Sequence, residues 1–133
     1  MRTRAKICGI TRVEDVHAVV NAGCDAIGFV FYPPSPRSVT LAHAEILNQT
    51  VPAYVQAVGL FVNSSADEIQ TILKTVPLDI LQFHGDETPE QCWSIARQVG
   101  RRWYKAIQVK PGLDVVAEIQ KYQDVGASAV LLD

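Results

Sequence analysis

The sequence predicts an α/β fold built on a parallel sheet. Three observations carry that prediction. Short apolar, β-rich runs alternate with stretches of helical period along the chain. The runs are apolar at nearly every position, as strands are when both faces are covered. They begin about 25 residues apart, the length of one strand, one helix and two short loops.

The elements follow in order. The first run is Ala5–Ile10. Thr11 with Glu14 reads as a capping box, Val13, Val16 and Val20 give the following helix its apolar face, and Gly23 ends it. The second run, Ala26–Phe31, leads into Phe31-Tyr32-Pro33-Pro34-Ser35-Pro36-Arg37, a loop stiffened by three prolines. Thr40 opens a helix over Leu41–Gln49. After the third run, Ala57–Val62, Ser65 and Glu68 form a second capping box, and Ile69, Ile72, Leu73 and Val76 share one helix face before Pro77 stops it. The fourth run is Ile80–Phe83. Thr88 pairs with Gln91, Pro89 stands at the first helical position, and Cys92, Ile95, Ala96 and Val99 repeat the helical spacing up to Gly100. The fifth run is Trp103–Val109, and Pro111-Gly112 then precede a helix expected over Leu113–Tyr122. Ala129–Leu132 is the sixth run.

Five strand–helix units and a sixth strand imply right-handed crossovers. No linker breaks the pattern, so residues 1–133 are expected to form a single domain. Two architectures fit: a flavodoxin-like open sheet, complete at this length, or an incomplete (β/α)8 barrel, since eight such units need about 200 residues.

Composition narrows the function. The 133 residues are 48% hydrophobic and 20% charged with net charge −2, which excludes disordered and low-complexity classes. No block of Lys and Arg offers a nucleic-acid surface. No apolar run approaches the roughly 18 residues of a membrane span, and the stretch behind the basic Met1–Lys6 is too short for a signal peptide. Three cysteines, Cys8, Cys24 and Cys92, without a CxxC pair, fit neither a disulfide framework nor a zinc site. A reducing compartment, the cytoplasm, is expected, and no metal.

In parallel sheets function gathers at the carboxyl ends of strands. Lys6 and Cys8 share one face of the first strand, and Gln82 and His84 share one face of the fourth. Cys8, Asn63, His84 and Asp133 end four different strands and together suggest a binding face. Arg37, at the end of the stiff loop, suits a carboxylate or an aromatic ring. Cys24 and Cys92 read as structural, and His17 and His43 as solvated helix residues. A phosphoacceptor module would place acidic residues at the end of the first strand, where this chain has Cys8-Gly9. A flavin or nucleotide binder would need a richer phosphate loop than Gly9-Ile10-Thr11.

Five segments together resemble the phosphoribosylanthranilate isomerase family of tryptophan biosynthesis: Lys6-Ile-Cys-Gly-Ile-Thr11, Asp25-Ala-Ile-Gly-Phe-Val-Phe-Tyr-Pro33, Val58-Gly-Leu-Phe-Val-Asn63, Leu81-Gln-Phe-His-Gly85 and Leu131-Leu-Asp133. The resemblance implies a (β/α)8 barrel that works without a cofactor on a small phosphorylated substrate. It implies the Amadori rearrangement of N-(5-phosphoribosyl)anthranilate to 1-(2-carboxyphenylamino)-1-deoxyribulose 5-phosphate. Carried over by position, Cys8 is the general base, Asp133 the general acid, Arg37 the contact to the anthranilate moiety, and His84 a lining residue. Lys6, Gln82 and Asn63 complete the expected substrate-binding set, with Lys6 placed to favour a thiolate at Cys8. Another aldose–ketose isomerase would be less in keeping with a Cys base and the Pro-rich Arg loop. The family's phosphate site belongs to Gly-rich loops after a seventh and eighth strand, whereas Gly112 and Gly126 here are isolated. The chain is therefore expected to be the N-terminal portion of the barrel, inactive alone, and inclined to associate with the missing strands or with itself.

Overall fold

The computed structural model describes residues 1–133. Strands and helices alternate throughout: β1 (Lys6–Cys8), α1 (Val13–Asn21), β2 (Ala26–Val30), α2 (Leu41–Gln49), β3 (Gln56–Phe61), α3 (Ala66–Leu73), β4 (Ile80–Phe83), α4 (Pro89–Val99), β5 (Arg102–Ile107), α5 (Val115–Asp124) and β6 (Ala129–Leu132). All five strand pairs are parallel, and the spatial order is the chain order, β1 to β6. A doubly wound sheet reverses its direction of growth at a switch point. This sheet never reverses, so the flavodoxin-like alternative is excluded.

The sheet is curled. Three inter-strand steps separate β1 from β4, about 14 Å across a flat sheet. Yet Lys6 Nζ on β1 donates to Gln82 Oε1 on β4 at 2.7 Å. Only a sheet closing toward a barrel brings those side chains together. The result is a partial barrel with helices outside, in which β1 and β6 each have one sheet neighbour.

Alternation along each strand separates two faces. Ile27, Phe29, Phe61, Leu81, Phe83 and Trp103 point outward and join helix residues such as Val16, Leu47, Ile69 and Cys92 in one buried cluster. Full burial of such side chains stabilises the layer by about 1.5–3 kcal/mol each. The inward face carries Lys6, Cys8, Gly28, Val58, Gln82 and Tyr104 and is far more polar. At the amino ends of the strands two carboxylates hold the register. Asp25 Oδ2 accepts from Ala5 N at 2.8 Å, and Asp79 Oδ2 accepts from Ala57 N at 2.7 Å.

The capping boxes at Ser65–Glu68 and Thr88–Gln91 form as expected, and Thr40 accepts from His43 N at 3.2 Å. Two starts differ. Arg12, not Thr11, caps α1, and its guanidinium bridges Asp15 at 2.8 and 2.9 Å instead of a hydroxyl capping the helix. The Thr11 carbonyl instead accepts from His43 Nε2, so His43 ties α2 to the loop after β1 rather than merely facing solvent. Helix α5 begins two residues later than expected, because Asp114 caps it through Ala117 N at 3.0 Å. A carboxylate at the N-cap satisfies an orphan N–H that Gly112 cannot. No helix is long and apolar enough to cross a membrane.

Candidate active site

The polar strand ends meet at the carboxyl rim of the curled sheet. At β1, the chain turns at Gly9 with φ +82°, a conformation that L side chains rarely adopt. The Arg37 side chain lies over this glycine: a Cβ there would sit 2.5 Å from Nη1 and 2.6 Å from Cδ. Arg37 Nη1 donates to the Cys8 carbonyl at 3.2 Å. The proline loop delivers the guanidinium through consecutive turns, with Ser35 N on Tyr32 O at 2.9 Å and Ser38 N on Ser35 O at 3.0 Å. Its end is stitched back to β2 by Val39 N on Val30 O at 3.0 Å.

Gly28 keeps space for the β1 side chains. A Cβ at this position would lie 3.0 Å from Cys8 Sγ and 3.1 Å from Lys6 Cε. The Lys6 ammonium then crosses the interior to Gln82 Oε1, which also accepts from Tyr104 Oη at 2.7 Å. Gln82 Nε2 contacts His84 Nδ1 at 2.9 Å, and His84 Nε2 contacts Asp133 Oδ2 at 3.2 Å. The structure thus joins Lys6, Gln82, His84 and Asp133 in one chain of hydrogen bonds. Above it, a cleft is lined by Val30, Tyr32, Arg37, Leu60, His84 and Asp133. Gln82 itself is 2% exposed and lies beneath the cleft.

Asn63 is placed differently. Its φ is +54°, its Oδ1 accepts from Asp86 N at 2.8 Å, and its side chain lines a separate cleft between α3 and α4. It braces the loop after His84 and stands apart from Arg37 and Asp133.

Three groups escaped the sequence reading. Tyr104 closes the interior network. Lys110 lines the cleft beside Asp133. Lys105, on the outward face of β5, forms a buried ion pair with Glu87 at 2.9 Å. The signal for that pair was a lysine on the same strand face as Trp103 and Ile107.

The thiols differ by environment. Burial pushes Cys92 up to about 12 and also raises Cys24, while Cys8 stays partly exposed at the rim. Burial, with the Cys8 thiol adding to it, raises the Tyr104 phenol, so Tyr104 stays an O–H donor. No group of three or more His, Cys, Asp and Glu is arranged to hold a metal ion. A thiol, a guanidinium and a His–carboxylate pair on one rim are equipped for proton transfer on an anionic substrate.

The profile described as N-(5'phosphoribosyl)anthranilate (PRA) isomerase matches residues 5–133. The chain belongs to that family. An N-(5'-phosphoribosyl)anthranilate isomerase of Acinetobacter calcoaceticus is 70% identical over 133 residues, which is 100% of this chain and 62% of that protein. The crystal structure of phosphoribosyl anthranilate isomerase from Thermotoga maritima superposes with a TM-score of 0.88 at 36% identity, covering 99% of this chain and 62% of that one. A family member solved with reduced 1-(o-carboxyphenylamino)-1-deoxyribulose 5-phosphate gives a TM-score of 0.89 at 36% identity, covering 99% and 65% of the two chains. The chain therefore spans about three fifths of the length of these relatives. The barrel-type fold expected from the resemblance is the fold found.

Proposed function

We propose that residues 1–133 carry the acid–base centre of an isomerase that converts N-(5'-phosphoribosyl)anthranilate to 1-(o-carboxyphenylamino)-1-deoxyribulose 5-phosphate in tryptophan biosynthesis. The observation that carries this reading is the cleft shared by Arg37, His84 and Asp133, with Arg37 hydrogen-bonded to the carbonyl of Cys8 at the end of β1, within a family match. Asp133, as the acid, gives its proton to the furanose ring oxygen. The C1–O bond breaks toward that oxygen, and the anilino nitrogen lone pair forms C1=N. Cys8, as thiolate, then removes the C2 proton. The C2–H electrons form C1=C2, and the C1=N electrons return to nitrogen as an enolamine. Proton transfer from the C2 hydroxyl to C1 leaves the ketone, so C1 is reduced and C2 oxidised with no external redox partner. Arg37 holds the anthranilate carboxylate, and a ligand phosphate is held by elements beyond β6. The chain acts as one domain in a reducing cytoplasm, in keeping with its three free thiols. The open edges at β1 and β6 take up further barrel strands or a second copy.

The test is loss of substrate fluorescence with residues 1–133 alone and with the chain joined to the C-terminal remainder of the 70% identical relative. Turnover is expected in the joined protein and should fall by about 10²-fold or more in Cys8→Ala and in Asp133→Asn. Parent-like turnover in either variant overturns the assignment.

A further inference from the structure

The chemistry of donors and acceptors inside the sheet determines more than proximity. Gln82 has one carbonyl oxygen and one amide nitrogen, and its two ends face different partners. Oε1 meets two donors, the Lys6 ammonium at 2.7 Å and the Tyr104 hydroxyl at 2.7 Å. An ammonium has no acceptor capacity, so the reverse amide orientation would set N–H against N–H. The amide nitrogen must therefore face His84 Nδ1, 2.9 Å away. That nitrogen has to accept, and the ring proton is left on Nε2, where it points at Asp133 Oδ2. A proton on Nδ1 would oppose the amide N–H. The group that enforces this is buried, since Gln82 is 2% exposed and does not line the cleft.

We propose that Gln82, locked by Lys6 and Tyr104, is a positioning residue that holds His84 as its Nε2–H tautomer and so aims a hydrogen bond at Asp133. The role of that bond in turnover rests on the isomerase reading above; the tautomer itself does not. The bond orients the Asp133 carboxyl and occupies one of its oxygens, leaving the other for the substrate. Tyr104 supplies the second of the two donors on Oε1, which makes the lock less dependent on the flexible Lys6 stem.

The test is nitrogen NMR of 15N-histidine-labelled chain, which distinguishes a protonated from an unprotonated ring nitrogen without substrate. In the unmodified chain His84 should show a protonated Nε2 and an unprotonated Nδ1. Gln82→Glu keeps the shape but presents an oxygen to Nδ1, and should move the ring proton onto Nδ1. Tyr104→Phe leaves Lys6 in place and should preserve the Nε2–H form. An Nδ1–H tautomer in the unmodified chain, an averaged mixture, or a Gln82→Glu spectrum identical to the parent would overturn the proposal. The unmodified spectrum decides even if a variant fails to fold. In the joined protein, Gln82→Glu should lower kcat by about tenfold or more with KM within about twofold, because the acid is misaligned and substrate contacts remain. A rise in KM alone would make Gln82 a substrate contact and refute the positioning role. Loss of all turnover in the unmodified joined protein, with the tautomer as stated, would count against the isomerase reading only.

Discussion

Replacing Lys105 with methionine removes one half of the buried ion pair behind the sheet, and the cost can be worked from its partners. The Lys105 and Glu87 side chains are 5% and 3% exposed. The Glu87 carboxylate accepts from Lys105 Nζ at 2.9 Å, Gly85 N at 2.9 Å and Asn63 N at 2.8 Å. Its main-chain carbonyl accepts from Tyr122 Oη at 2.9 Å. Breaking a buried pair from one side costs about 3–5 kcal/mol. Lys105→Met leaves the carboxylate two N–H donors, which places the loss at about 3 kcal/mol. Glu87→Gln is worse, about 5 kcal/mol, because the ammonium loses its counter-charge and the amide nitrogen sets N–H against a donor, either Asn63 N or the Gly85 N and Lys105 Nζ that share Oε1. The double variant removes both charges together, so it should be less destabilised than the sum by at least about 2 kcal/mol. Urea unfolding measures this through the midpoint at unchanged slope. Single losses below about 1 kcal/mol, or strict additivity, would show that the pair does not hold the loop that follows His84.

Three further outcomes follow from the same geometry. Arg37→Ala should weaken product-analogue binding by about 1.5–3 kcal/mol, Arg37→Lys should restore only part of it, and Gly9→Ala should resemble Arg37→Ala because a Cβ there displaces the guanidinium; equilibrium titration checks all three. A thiol reagent should label Cys8 ahead of Cys24, and leave Cys92 unlabelled in the folded chain, since burial holds Cys92 at about 12; mass spectrometry of the digested protein reads the order, and equal labelling of the three would be the contrary result. Asp25 is held at about 2, below its ordinary 3.8, first by the hydrogen bond from Arg2 and then by Ala5 N. Its contribution to stability is therefore present above about 3.8 and lost as pH falls toward 2, and Asp25→Asn should flatten that part of the acid unfolding curve.

The outward layer was legible in the sequence because its physics is local. Apolar runs and the helix caps at Ser65 and Thr88 need only neighbours a few residues away, and both helices start where expected, although α3 ends at Leu73 and leaves Val76 beyond it. The boundary at α1 was not legible, since Arg12 and Asp15 compete with the Thr11 hydroxyl and the winner depends on where His43 pulls the loop. Direction of growth was equally hidden, because an open doubly wound sheet and a curling one share the same strand–helix rhythm. Cys8, His84 and Asp133 could be picked as strand ends. Tyr104 could not: in Arg102–Ile107 it reads as one more aromatic of a buried strand, and only the β4–β5 register, which sets it directly opposite Gln82, brings its hydroxyl to the amide.

The location of the proposed acid and base follows from that curl. Cys8 ends β1 and Asp133 follows β6, the first and last strands in the order of the sheet. Contacts across the interior join the elements that carry these residues. Lys6 ties β1 to β4, Arg37 ties the end of β1 to the loop after β2, and the His84 bond ties β4 to the end of β6. Beyond β6, Val109 N on Asp133 O at 2.9 Å and Asp133 N on Ile107 O at 3.0 Å continue the ladder past the strand itself. Polar residues on the inward face thus link β1, β4 and β5 beneath the cleft, and His84 carries the link up to Asp133. Each of Lys6, Gln82 and Tyr104 finds its hydrogen-bond partner inside that network, which is what lets polar side chains stand on the inner face where packing alone would favour apolar ones.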